Sequence, residues 1–296
     1  MAAVRHRPGE AGSGVGNLIP ALHEEPAMAI DSTHNPSVLM HREGGVLHLM
    51  LNRPEVRNAM SLAMVLELRQ ALAAAETDGI TRVIVLRGAS GHFCAGADLK
   101  DMASARAQLV DDPEALVKVN AAFGDLCVAF ANTGLATVAV LEGTVMGGGL
   151  GLACVVDVAL AGTSAVFRLP ETGLGMVPAQ IAPFLVERLG YAEAKRLAVT
   201  GGQLDARAAM ELRLVHAMHA AGALDRALQE TLADILRCAP GAIAATKALM
   251  ATARFHAPAS MVQHAAEVFS QTALGAEGTE GTLAFLQKRK AAWVPQ

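Results

Sequence analysis

Two turns built from small residues carry the residue types best suited to chemistry. The first is Phe93-Cys94-Ala95-Gly96-Ala97-Asp98-Leu99; the second is Val145-Met146-Gly147-Gly148-Gly149-Leu150-Gly151-Leu152-Ala153-Cys154. Each follows an apolar run rich in β-branched residues, Val83-Ile84-Val85-Leu86 and Thr137-Val138-Ala139-Val140-Leu141. Three glycines at a helix start remove every Cβ, so a ligand can lie against the backbone. The N–H groups of such a first turn lack intrahelical partners and carry the positive end of the helix dipole. Two turns of this kind can aim two N–H groups at one anionic oxygen, as an oxyanion hole does. Tight helix-to-strand packing is the competing use. A P-loop is not matched, because no Lys-Ser/Thr follows the glycines, and GxGxxG is absent.

Three side chains near these turns can hold protons. Asp98 fits a helix cap or turn former better than a base, since Asp favours that work. His92, in Ser90-Gly91-His92-Phe93, fits a solvated or structural histidine better than a general base. Glu171 ends the extended segment Phe167-Arg168-Leu169-Pro170. A carboxyl in apolar surroundings has a raised pKa and can exchange a proton near neutrality. From the residues alone, a surface acid at a turn is the stronger reading of Glu171.

The composition sets what can position them. The 296 residues are 52% hydrophobic, 18% charged and 3% aromatic, enough for a sizeable core of closely packed helices and strands. Net charge is −4 with no basic tract, which argues against nucleic acid as the main partner. The cysteines Cys94, Cys127, Cys154 and Cys238 lack metal-ligand spacing and read as buried thiols. No metal is expected. No apolar run is read as long enough to cross a bilayer, and no secretory signal is evident, so a cytoplasmic location is expected. Residues 1–35, rich in Gly, Pro, Ala and His, read as a disordered extension.

Strands are expected at Val46–Leu51, Val83–Leu86, Thr137–Leu141, Val156–Ala161 and Ala165–Arg168. Helices are expected from Ser61 to Thr77, over Pro113–Asn132 and over Gly149–Cys154. Strands separated by helices at this spacing give an α/β fold with βαβ crossovers. Beyond Ile181 the helical period dominates: Ala182–Leu189, Ala192–Thr200, Ala206–Leu212, Leu224–Cys238, Gly241–Ala253, Met261–Leu274 and Thr279–Ala292. Asp205 and Thr279 are the expected caps of two of these. The core is placed at 36–239 and a helical C-terminal region at 240–296.

Taken together, Asn52-Arg53-Pro54…Asn58-Ala59, the Cys94–Lys100 turn, Met146–Leu152 and Leu169-Pro170-Glu171 resemble the enoyl-CoA hydratase/isomerase (crotonase) superfamily. Thr200-Gly201-Gly202, Gly281…Ala284-Phe285 and Lys288-Arg289-Lys290 extend the likeness, in the family's order and approximate spacing. The resemblance implies a right-handed spiral of ββα units, with C-terminal helices that mediate trimers or hexamers. It implies that an acyl-CoA thioester oxygen sits between the N–H groups of Ala97 and Gly148, with Glu171 as acid/base. Val56, Arg57, Asn58, Ala95, Ala97, Asp98, Leu99, Gly147 and Gly148 would contact the substrate or its CoA. Phe285 and Lys288 would reach CoA from a neighbouring subunit. No metal or redox cofactor is implied, since CoA arrives with the substrate.

One departure matters. Hydratases of this family commonly carry two glutamates, and the first would fall at Gly151, which has no side chain. Three readings follow: a hydratase in which Glu171 works alone, a Δ3–Δ2 enoyl-CoA isomerase, or a binder of acyl-CoA without turnover. Pro178-Ala179-Gln180-Ile181-Ala182-Pro183 replaces a glycine-rich run, making Gln180 a candidate to hold water or a polar acyl end. The segments Val145–Cys154, Met176–Pro183 and Ala239–Ala248 resemble hydratases of branched glutaconyl-CoA esters, such as isohexenylglutaconyl-CoA hydratase. A distal carboxylate in such a substrate could assist water; Arg168 and Arg57 are candidates to bind it. The acyl pocket is expected from Met102–Asn120 and Ile181–Arg188.

Overall fold

A computed structural model describes residues 36–295. The extension expected over 1–35 lies outside the described residues. A six-stranded sheet forms the frame, in the order β1-β2-β3-β4-β6-β9: Val38–Glu43, Val46–Leu51, Val83–Gly88, Ala136–Leu141, Val158–Gly162 and Ala217–His219. β1 and β2 form an antiparallel hairpin, and every other pairing in this sheet is parallel. Parallel strands need both faces covered. Accordingly β4 is buried at every residue, and β3 at all but Arg87.

The period of two divides these strands between two cores. Ile84, Leu86, Ala139 and Leu141 face a large cluster shared with the helices α1 (Leu62–Thr77), α3 (Ala115–Asn132), α4 (Gly148–Val155) and α5 (Ala182–Thr200). Val83, Val85, Val138 and Val140 face a second cluster with Leu224, Leu228 and Leu232 of α7 (Ala221–Arg237).

Three short strands make a second layer: β5 (Thr144–Met146), β7 (Val166–Arg168) and β8 (Gln203–Asp205), with β5 parallel to β7. Cys94 bridges to Val145 in parallel, so the stretch after β3 joins this layer as well. Each turn of the chain thus contributes one strand to the large sheet, one short strand to the second layer and then a helix. This is the repeated ββα spiral expected from the sequence.

The helix caps Ser61 and Asp205 act as expected, accepting from the N–H of Met64 and Ala208. Gly190, with φ of +74°, divides α5 into the two expected segments. Other expectations need correction. Thr279 lies inside α10 (Ala276–Leu286) and caps nothing, and that helix stops short of Ala292. Glu280 explains the early stop, because its carboxylate holds Arg289 and the Ala292 N–H folded back against the helix. α3 does have the length and composition of a bilayer span, contrary to the sequence reading. Its Leu126, Cys127 and Phe130, however, are fully buried in the first core. Strands β1, β8 and β9 and helices α2 (Leu99–Ala107) and α6 (Ala206–Glu211) complete the frame, followed by α8 (Pro240–Ala253) and α9 (Pro258–Leu274).

Candidate active site

The first turn is strung between two segments. Cys94 exchanges both backbone bonds with β5, its N–H reaching the Thr144 carbonyl and its carbonyl the Met146 N–H, each at 2.9 Å. Met60 then grips the other side, donating to the Gly96 carbonyl at 2.7 Å and accepting from the Asp98 N–H at 2.9 Å. In an extended segment alternate residues point their backbone groups in opposite directions. With Gly96 and Asp98 turned to Met60, the N–H of Ala97 faces away from it, and it has no partner among the described residues.

Asn58 makes this arrangement rigid. Fully buried and left-handed at φ of +57°, it accepts from the Arg53 N–H and donates to the carbonyls of Ala89 and His92. That side chain is spent on the turn. Asp98 caps α2 through the Lys100 N–H and pairs with Arg53 at 2.6 Å, so it too is committed to the scaffold. His92 accepts from the Thr144 N–H at 3.1 Å and is structural.

The second turn meets the first at van der Waals distance. A Cβ on Gly96 would stand 3.6 Å from the Gly147 Cα. Gly147 adopts φ of +48° and ψ of −117°, a conformation that L side chains rarely reach, and donates to the Arg168 carbonyl. It thereby sets Gly148 as the first residue of α4, whose N–H has no partner among the described residues. From Gly149 to Val155 this helix is wholly buried, so its dipole is little screened. At its far end the Arg188 guanidinium binds the carbonyls of Cys154 and Val156, and reaches that of Ala153.

Glu171 opens a short 3-10 turn after Pro170 and brings its carboxyl to the same place. Oε1 lies 2.9 Å from where a Cβ on Gly147 would be. Oε2 is buried and unpartnered among the described residues. Burial pushes the carboxyl above its usual range, partly offset by a hydrogen bond from its own backbone N–H. A carboxyl so placed can give or take a proton nearer neutrality than an exposed one.

Ala97, Gly148 and Glu171 line one cleft, enclosing about 870 Å³ of empty space with its open mouth included. Its walls come from Met60, Leu62 and Val65, from Leu116, Val119, Asn120 and Phe123 of α3, and from Met176 to Ile181. The sequence reading missed Phe123 and Met60. Phe123 was legible as the continuation of Leu116, Val119 and Asn120 at helical spacing. Of the stretch Ile181–Arg188 only Ile181 reaches the cleft, and Arg188 is engaged with α4. Arg57 and Arg168 do not line it, and no cationic side chain does among the described residues. Leu99, Phe285 and Lys288 are exposed, and none of them lines the cleft.

Gly151 lies one helical turn below Gly148. A Cβ there would stand 3.1 Å from Ile181 Cγ1 and 3.2 Å from Phe123 Cζ. A side chain at this position would therefore press on two apolar side chains, which would have to give by a few tenths of an ångström.

Comparison with known proteins identifies the family. The family described as Enoyl-CoA hydratase/isomerase matches residues 41–296. The 2,3-dehydroadipyl-CoA hydratase of Escherichia coli is 31% identical over 254 residues, covering 85% of this chain and 96% of that protein. Among solved structures, AtuE of Pseudomonas aeruginosa superposes with a TM-score of 0.84 at 52% identity, covering 88% of this chain and all of that one. An enoyl-CoA hydratase/isomerase from Marinobacter aquaeolei also reaches 0.84, at 46% identity over 88% of this chain and 99% of its own. With its two unclaimed N–H groups set against one half-buried acid, the chain belongs to the enoyl-CoA hydratase/isomerase family and has the crotonase fold.

Proposed function

We propose that the protein hydrates the C2=C3 bond of a branched, glutaconyl-type 2-enoyl-CoA, with Glu171 as the sole acid/base. The observation that carries this reading is the Glu171 carboxyl, unpartnered and half-buried, in one cleft with the free N–H groups of Ala97 and Gly148. The thioester oxygen accepts from both N–H groups. Glu171 takes a proton from water as the water oxygen bonds to C3, and the π electrons move to give an enolate on the thioester. Two preorganised donors stabilise that charge by about 3 kcal/mol each, the scale of removing one such donor. Glu171 then returns the proton to C2. One molecule of water is added to one face, and the carboxylate is restored.

The walls of the cleft are mostly apolar, which suits a branched hydrocarbon chain. Among the described residues no cation lines the cleft, so a second carboxylate would lie there without the Arg57 or Arg168 partner considered from sequence. Support for a carboxylated substrate comes from the Escherichia coli relative's name and from the sequence resemblance to branched glutaconyl-CoA hydratases. Phe285 and Lys288, exposed at the C-terminus, are proposed to complete the CoA site of a neighbouring subunit in a trimer or hexamer.

The test offers panels of 2-enoyl- and 3-enoyl-CoA esters and reads the products by mass. A gain equal to one water from 2-enoyl esters supports hydration. Positional exchange without mass change assigns the isomerase reading, for which one base is also sufficient. Binding without either product assigns the non-catalytic one. Glu171→Gln should lower turnover by about 10²–10⁴-fold while acyl-CoA still binds.

A further inference from the structure

A hydratase whose first acid is replaced by Gly151 still needs something to orient water, and the cleft supplies few groups able to do so. Six polar side chains line it: Ser61, Asp98, Asp101, Asn120, Glu171 and Gln180. Three of these are tied to backbone. Ser61 accepts from the Met64 N–H, Asp98 from the Lys100 N–H and from Arg53, and Asp101 from the Leu62 N–H. Glu171 is the acid/base. Ser61 keeps its hydroxyl proton and Asp101 its Oδ1, but both already serve the start of α1, so the amides of Asn120 and Gln180 are the lining groups bound to no backbone.

These two form one unit. Gln180 Nε2 donates to Asn120 Oδ1 at 2.8 Å, an exposed bond that links the two amides across the gap between α3 and the Met176–Ile181 segment. The Gln180 side chain is seated in a notch, because a Cβ on Gly124 would stand 2.3 Å from Gln180 Oε1. Any residue larger than glycine at 124 would displace it. The pair flanks the site of the missing acid: Ile181, next in the chain after Gln180, and Phe123, next before Gly124, are the two residues packed on Gly151. After the mutual bond, Asn120 keeps its Nδ2 donors and Gln180 keeps Oε1 and one N–H.

We propose that the Asn120–Gln180 amide pair is the water-positioning element of this site, holding the attacking water while Glu171 removes its proton. This rests on the hydratase reading. The amides stay neutral, so the pair orients without taking a proton, and all proton transfer passes through Glu171. The reaction then separates into a part that needs the pair and a part that does not. Forming the enolate by removing the C2 proton of a saturated ester uses only Glu171, Ala97 and Gly148.

The experiment compares Gln180→Leu and Asn120→Leu with the unsubstituted protein in two assays. One is hydration of 3-methylbut-2-enoyl-CoA and of its carboxymethyl-branched analogue. The other is exchange of the C2 proton of 3-methylbutanoyl-CoA in D2O. Both variants should lose about 100-fold in kcat for hydration of either ester, the scale of a misplaced reactant. Their KM and their exchange rate should stay near those of the unsubstituted protein. Gln180→Glu, which keeps the length but loses the Nε2 donor to Asn120 and the neutrality of the pair, should stay as slow in hydration as the leucine variants. Unchanged hydration in the leucine variants overturns the proposal. So does a rise in KM confined to the carboxylated ester, which would make the pair a substrate anchor. Parallel loss of hydration and exchange also overturns it, since that marks general damage to the site. Failure of the unsubstituted protein to hydrate any ester, with exchange intact, would instead remove the hydratase reading and the pair's role with it.

Discussion

The Glu171 carboxylate sits where a side chain on Gly147 would have to be: its Oε1 lies 2.9 Å from that missing Cβ. Any larger residue at 147 would therefore strain the turn that presents the Gly148 N–H and shift the acid. Gly147→Ala is expected to cost about 1–3 kcal/mol in stability, because alanine is strained at φ of +48°. The methyl group should also push Glu171 aside, so activity falls further than stability. Denaturant unfolding and kcat measured on the same preparation check both halves.

Glu171 also sets a pH dependence. Burial raises its pKa above the ordinary value of 4.5. Between the two values the folded chain still binds a proton that the unfolded chain has released, so stability falls as pH rises through that window. Glu171→Gln should remove this fall and be more stable than the unsubstituted protein above it. Over the same window kcat/KM for hydration should rise with pH, because the base form does the work. Unfolding at stepped pH, with kcat/KM alongside, tests the opposed slopes.

Gly151 gives a packing prediction. Placing glutamate there drives a side chain into Phe123 and Ile181, an overpacking expected to cost about 1–3 kcal/mol. Combining Gly151→Glu with Phe123→Ala should be less damaging than the sum of the two single changes. A double-mutant cycle by thermal unfolding measures that coupling.

Asn58 separates scaffold from ligand. Asn58→Asp replaces two donors, now bonded to the Ala89 and His92 carbonyls, with an acceptor and a buried charge. A loss of at least about 2 kcal/mol is expected. The remaining folded fraction should bind acyl-CoA with near-normal affinity, as read by calorimetry below the unfolding transition.

Much of this was legible from sequence, and for physical reasons. The Val83 and Thr137 runs are continuous apolar strands because both faces are buried, and the glycines at 147–149 announce close backbone approach. Strands β1, β8 and β9 were missed, since His41, Arg42, Gln203 and His219 put polar residues on sheet edges, and the three residues of β5 were read as part of the glycine turn. The helix over Leu99–Ala107 was missed because its first turn mixes Lys100 and Asp101 with few buried residues. Met60 and the Asn120–Gln180 bond depend on which elements pack together. A linear reading has no access to that, although Gln180 stood out as an amide where glycines were expected. The early end of α10 hinges on Glu280 meeting Arg289, a contact made only once the chain doubles back.

The filling of space beneath Gly151 has a consequence for how this chain can change. A single change to glutamate at 151 presses on Phe123 and Ile181 and costs stability before any second acid can act. Shrinking one of those two relieves the pressure, but alone it opens a hole in the acyl wall. The order of substitutions is therefore constrained. In a directed-evolution lineage, Phe123 or Ile181 variants should precede any acid at 151, and libraries randomising all three together should cross a barrier that stepwise ones do not.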